Sequence, residues 1–136
     1  MNMSKSKTGA LIVIQEDITL EQYEKTGDMI DANINTRLIE NIFFKNSPLH
    51  DGAMIIADNR IKAAGCILPV SHDSNVPRSL GLRHRSALGI AQATDAFAIV
   101  VSEETGNISV AHRGKLTTRL SSTDLEHRLS QAFSKE

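Results

Sequence analysis

The sequence has one cysteine, one tyrosine, three prolines and no tryptophan among its 136 residues. A single cysteine excludes an internal disulfide, and Cys66 lies in an apolar run, which reads as a buried, reduced thiol in a cytoplasmic setting. With so few aromatic rings there is little to stack on bases, so nucleic acid is not an expected partner. No run reaches the roughly eighteen apolar residues that read as a membrane helix, and no signal-peptide pattern opens the chain. An excess of one charge is also lacking. The net charge of −1 gives no general attraction to nucleic acid or anionic membrane, so any anion site must be local. Two phosphate motifs are missing: Gly114-Lys115 lacks the flanking residues of a P-loop, and no GxGxxG occurs.

What is present fits one domain. The length is enough to bury a core, and the 40% hydrophobic and 23% charged fractions are those of an ordinary α/β or α+β protein. Repeats, low-complexity tracts and linkers are absent. Residues 1–8 form a polar lead expected to be disordered, and residues 9–136 form the domain. The lead runs abruptly into Gly9-Ala10-Leu11-Ile12-Val13-Ile14, a start compatible with a domain cut from a longer protein.

Along the chain, Ala10 to Ile14 is apolar throughout and reads as a central strand buried on both faces. A short extended piece is expected near Met29 to Ala32. Ile34, Leu38, Ile39, Ile42 and Phe43 predict an amphipathic helix from about Asn35 to Phe44, ended by Lys45-Asn46-Ser47-Pro48. Ala53 to Ala57 and Ile61 to Leu68 read as a hairpin turned by Asp58-Asn59-Arg60. A Ser-, Asn- and Pro-containing loop from Ser71 to Ser79 precedes a small-residue helix that ends near Asp95. Phe97 to Val101 and Ile108 to Ala111 are strands joined by Glu104-Thr105-Gly106-Asn107. The final helix starts with a capping box at Thr123-Asp124-Leu125-Glu126 and carries Leu125, Leu129 and Phe133. Strands and helices alternate, so the expected fold is α/β, a single domain with a central mixed β-sheet flanked by helices on both faces.

Two segments carry the chemistry. Leu49-His50-Asp51-Gly52-Ala53 places an acid and an imidazole beside a glycine at a loop-to-strand junction. Asp51 can ligate a hard cation or take a proton, an adjacent imidazole shifts preference towards Mn²⁺, and Gly52 admits close backbone approach. An ordinary Asp-Gly turn is the competing reading. Gly81-Leu82-Arg83-His84-Arg85-Ser86-Ala87 places two guanidinium groups at a helix start, where backbone N–H groups already favour anions. Between Asp73 and Asp95 there is no acid, while Arg78, Arg83, His84 and Arg85 fall there. A solvated basic face is the bland alternative. Ser102, Glu103 and Glu104 end an apolar strand, where a carboxylate could complete a metal site or hold a ribose hydroxyl, or simply form a charged turn. His72, His112 and His127 have no metal-like spacing and read as surface residues.

Together these segments resemble the catalytic domain of bacterial diadenylate cyclases, which make cyclic di-AMP from two ATP. The resemblance runs from Gly9-Ala10-Leu11-Ile12-Val13 to the last helix, and Asp51-Gly52-Ala53 with Arg83-His84-Arg85 is specific as a pair. Ser47-Pro48-Leu49-His50, Leu68-Pro69 and Val101-Ser102-Glu103-Glu104-Thr105-Gly106 also fit. It implies that Asp51 binds a divalent metal (Mn²⁺ or Mg²⁺, with Co²⁺ a further option) and helps deprotonate the ribose 3′-hydroxyl, with His50 and Glu104 as further metal ligands. It makes Arg83, His84 and Arg85 catalytic phosphate contacts. Gly52, Ala53, Ile67, Leu68, Leu82, Ser102 and Glu103 complete the substrate contacts, Leu68 beside adenine. Ile67 stands where the family often has an aromatic, and Leu82 where many members have Thr. ATP and cyclic di-AMP are the implied ligands and a face-to-face homodimer the implied assembly. The opening most resembles the membrane-anchored branch, which implies a cytoplasmic domain of a protein held in the bacterial cell membrane by an N-terminal anchor. Two other classes compete: a catalytically silent nucleotide-binding sensor or scaffold, and a metal-dependent phosphodiesterase. An intact Asp51 argues against the first, and the lack of a richer His/Asp cluster against the second.

Overall fold

The computed structural model describes residues 8–44, 47, 49, 51–74, 76–77 and 80–133. The expected disordered lead through Lys7, the helix-ending Lys45, Asn46 and Pro48, the metal candidate His50, and Arg78 of the basic stretch lie outside them.

Among the described residues seven strands form one sheet: β1 (Ala10–Ile14), β2 (Asp28–Asn33), β3 (Ala53–Ala57), β4 (Arg60–Cys66), β5 (Phe97–Val101), β6 (Ile108–His112) and β7 (Lys115–Leu120). Their order is β2-β4-β3-β1-β5-β6-β7. β1 is therefore central, parallel to β3 and antiparallel to β5, and the other pairings are antiparallel. Among the described residues four helices accompany them: α1 (Glu21–Glu24), α2 (Thr36–Ile42), α3 (Leu82–Ala93) and α4 (Ser122–Phe133).

The continuous apolar run of β1 is explained by burial on both sides. Leu11 and Val13 face a core shared with Leu20, Leu68 and the Ala87, Ile90 and Ala91 side of α3. Ala10 and Ile12 face a second core that takes Ile42 and Phe43 from the end of α2, and Leu125 of α4, with Leu129 packed against it. This is the mixed sheet with helices on both faces that the alternating pattern predicts. Small side chains let α3 approach closely. A Cβ at Gly89 would overlap the carbonyl of Pro69, and the Ser71 N–H donates to the Arg85 carbonyl at 2.9 Å.

The turns follow residue chemistry. Asp58 and Asn59 both have positive φ (54° and 59°), which is the requirement of a type I′ hairpin between β3 and β4. Arg113 and Gly114 repeat it (55° and 76°) between β6 and β7. β7 is absent from the sequence reading, and so is the single-turn α1, too short for a periodic signal. The Arg113-Gly114 dipeptide is the local mark of the missed hairpin.

Two expectations need correction. The box that starts α4 is Ser121 with Asp124: the Ser121 N–H donates to Asp124 Oδ2 at 3.1 Å and the Asp124 N–H to Ser121 Oγ at 3.0 Å. Thr123 and Glu126 already lie inside the helix. His112 is not a surface residue. Its side chain is 11% exposed, with Nε2 at 2.6 Å from Glu16 Oε2 and the ring 5.0 Å from that of Phe97. An imidazole is apolar enough to pack on Phe97 once a carboxylate satisfies its nitrogen. His72 and His127 are exposed, as read.

Candidate functional site

A cleft of about 1060 Å³ opens where β3 begins, β5 ends and α3 starts. Its size is at the upper end of small-molecule sites, about 300–1,000 Å³. Leu11, Val100 and Val101 give it an apolar floor, and polar groups enter from three elements.

The first is the start of β3, with Asp51 and Gly52 on the cleft wall. Gly52 has φ +115°, and a Cβ there would meet the Gly65 carbonyl carbon at 2.8 Å, so only glycine can sit where β3 leaves the loop. That constraint holds Asp51, an exposed carboxylate, at the rim.

The second is the N-terminus of α3. Gly81 is its N-cap and makes no side-chain cap, and Gly81, Leu82, Arg83, His84 and Ser86 line the cleft. Arg83 Nη1 lies 3.3 Å from Glu103 Oε1, and Arg83 Nε is buried without a hydrogen-bond partner among the described residues. His84 is 7% exposed, and burial, reinforced by the Arg83 charge, pushes its pKa below the ordinary imidazole value. It therefore enters the site at neutral pH as an uncharged donor or acceptor. Arg85 points elsewhere. Its Nη1 donates to the carbonyls of Ser71 and Asp73 at 3.2 and 3.3 Å, clamping the preceding loop, and it is not among the cleft-lining residues.

The third is the β5–β6 turn. The Ser102 N–H donates to the Asn107 carbonyl, the Gly106 N–H to that of Ser102, and Ser102 Oγ accepts from the N–H groups of Glu104 and Thr105. The turn so closed presents Ser102, Glu103 and Glu104 to the cleft.

The remaining substrate candidates are dispersed. Ala53 and Leu68 are buried in the core beside α3, and Ile67 is 70% exposed, its N–H donating to Thr26 Oγ1 at 2.7 Å. None of the three lines the cleft. Leu82 does, at 68% exposure. Sequence reasoning misses Thr118 and Arg119, which reach the cleft from β7. The signal for them is the unread Arg113-Gly114 turn, which returns the chain to the sheet edge.

Cys66 is a buried free thiol pushed up to about 11 by burial and by the neighbouring Glu24 and Asp28 charges, so it stays protonated and inert. Among the described residues no three His, Cys, Asp or Glu side chains cluster as a metal site. Asp51 and Glu104 nevertheless share the cleft. Hard carboxylate oxygens suit a Mg²⁺-like ion that is held by one or two carboxylates together with substrate phosphates.

An Asp-Gly wall facing an Arg-His helix start is a nucleotide-sized, phosphate-compatible arrangement, and comparison with known proteins decides its kinship. The family described as DisA bacterial checkpoint controller nucleotide-binding (DAC) matches residues 1–116. The chain belongs to this family. Among its DAC relatives, the cyclic di-AMP synthase CdaA of Bacillus subtilis is 44% identical over 98% of this chain and 49% of its own length. A diadenylate cyclase of Listeria monocytogenes is 46% identical over 90% of this chain and 45% of its own length. The chain thus spans about half the length of the curated relatives it matches. The crystal structure of DacA from Staphylococcus aureus has a TM-score of 0.96 at 44% identity, covering 98% of this chain and 89% of that one. A structure described as a hypothetical membrane spanning protein from Bacillus cereus has a TM-score of 0.84 at 42% identity, covering 88% and 59%. The seven-strand mixed sheet with four helices is therefore the DAC-domain fold. No helix among the described residues is long and apolar enough to cross a membrane.

Proposed function

We propose that this domain is a diadenylate cyclase, condensing two ATP into cyclic di-AMP with release of two pyrophosphates. The observation that carries the reading is the shared cleft: the Asp51 carboxylate and the Arg83 guanidinium line one nucleotide-sized space, in a DAC chain 44–46% identical to a cyclic di-AMP synthase and a diadenylate cyclase.

Each of two bonds forms when a ribose 3′-oxygen attacks the α-phosphorus of the other ATP, breaking its bond to the bridging oxygen of pyrophosphate and releasing the hydroxyl proton. Asp51 at the rim assists removal of that proton and supplies an anionic oxygen for the divalent ion. Bound there with Glu104, and with His50 as a third candidate, an ion such as Mn²⁺, Mg²⁺ or Co²⁺ supplies charge stabilisation at the phosphates. Arg83 neutralises phosphate oxygens, and neutral His84 hydrogen-bonds them without adding charge. Gly52 allows close approach of substrate to the chain, while Ser102 and Glu103 border the same space.

One such cleft holds one ATP, so the product requires two domains facing each other as a homodimer, each presenting its ATP to the other. The full-length protein is proposed to be held in the bacterial membrane by an N-terminal anchor, a reading supported by the likeness to a structure described as a hypothetical membrane spanning protein.

Incubation with ATP and Mn²⁺, followed by chromatography of the products, tests the reading. Cyclic di-AMP is the expected product, and Asp51→Asn should lower its formation by a factor on the order of 10² while the fold is kept. ATP bound but unchanged would identify a silent binding module, and a linear or hydrolysed product a different enzyme.

A further inference from the structure

The proposed phosphate role of Arg83 depends on where its guanidinium lies, and Gly9, a residue given no role in the site so far, lies against it. Gly9 is buried immediately before β1. A Cβ built on it would sit 2.7 Å from Arg83 Nη1, 2.8 Å from Cζ and 3.0 Å from Nη2. The near-equal spacing to three atoms shows the guanidinium lying across the glycine rather than pointing at it. Gly9 is not among the glycines with positive φ, which are Gly52, Gly65, Gly106 and Gly114. Its backbone therefore accepts any L-residue, and only the space is reserved.

Among the described residues little else bonds to the group. Glu103 touches Nη1 at 3.3 Å, and Nε has no hydrogen-bond partner among the described residues. Since the donors of a guanidinium lie in its plane, a face seated on Gly9 leaves the edges for Glu103 and for an anion in the cleft. The clash a side chain would create is with the tip of a flexible arginine, so it is relieved by moving that tip and not by moving the sheet.

We infer that Gly9 is a positioning residue: its missing side chain is the seat of the Arg83 guanidinium, and filling that seat displaces the phosphate contact without disturbing the fold. The inference rests on the phosphate-binding reading of Arg83 given above.

The test uses 3′-deoxy-ATP with Mg²⁺, which keeps the triphosphate but lacks the attacking hydroxyl, and adenosine as the phosphate-free control. Binding calorimetry and thermal melts are compared for the unaltered chain, Gly9→Ala, Arg83→Ala and the double variant. Gly9→Ala should weaken 3′-deoxy-ATP on the order of tenfold, leaving adenosine affinity and Tm unchanged. In the Arg83→Ala background it should have no further effect. Equal loss for adenosine, an equal loss or an equal drop in Tm in both backgrounds, or full affinity in Gly9→Ala alongside a weak Arg83→Ala would overturn the positioning role. Full affinity in Arg83→Ala itself would instead remove the phosphate role on which the inference stands.

Discussion

At the scale of single residues, Arg83 and Arg85 separate. They flank one histidine at the start of α3, yet a helix turns about 100° per residue, so positions two apart look in nearly opposite directions. Arg83 faces the cleft and Glu103, whereas Arg85 holds the carbonyls of Ser71 and Asp73. Arg83→Ala should weaken ATP binding by roughly 1.5–3 kcal/mol while adenosine binds as before. Arg85→Ala, which releases buried-side carbonyls of the loop, should lower Tm as well as ATP affinity. Equal and purely nucleotide-dependent losses in both variants would show that both arginines contact phosphate. His84 gives a pH dependence. Its folded pKa lies below the ordinary value of 6.5, so the unfolded chain takes up the proton first and stability falls as pH drops below that value towards the folded pKa. Melting followed from pH 7.5 to 5 should show this decline, and His84→Gln should flatten it.

At the scale of elements, the decisive contact is between α3 and the Pro69–Ser71 segment. Gly89 sits where any side chain would overlap the Pro69 carbonyl, a backbone atom that cannot swing aside. Gly89→Ala should therefore cost about 1–3 kcal/mol or more, read as a Tm lowered by several degrees. Since α3 also carries Arg83, a lifted helix should weaken nucleotide binding in parallel, unlike Gly9→Ala, for which binding alone should respond. An unchanged Tm in Gly89→Ala would mean that the helix has room to slide. Most elements are legible in the sequence because each has a local signature. The apolar run of β1, the two strands around the Asp58-Asn59 turn and the small-residue face of α3 are all marked by their composition. β7 has a weak one: Lys115–Leu120 mixes charged and polar residues because it is an edge strand, exposed along much of its length.

At the scale of the whole molecule, stoichiometry governs. If one domain holds one ATP, specific activity should rise with protein concentration until the dimer saturates. Adding Asp51→Asn to the unaltered chain should depress activity beyond simple dilution, because a mixed dimer has one complete site and two bonds must form. Activity that stays flat down to concentrations where sizing shows only monomer would exclude the face-to-face arrangement. Asp51, Leu82, Glu103 and Glu104 are exposed along the cleft.

The sequence by itself determined the fold class, the central strand, the paired Asp-Gly and Arg-His-Arg segments and the kinship they imply. Those features depend on side-chain period and on residues adjacent in the chain. The tertiary structure alone decided which residues meet. It brought Gly9 under Arg83 and set Glu103 against the same guanidinium. It also buried His112 with Glu16 and folded Arg119 into the cleft. Each of these depends on sheet order, which joins strands far apart in the chain through backbone hydrogen bonds that every residue type but proline can make. That order leaves no mark in the identity of a single residue, and the site is built where it places the ends of β1, β3 and β5 together.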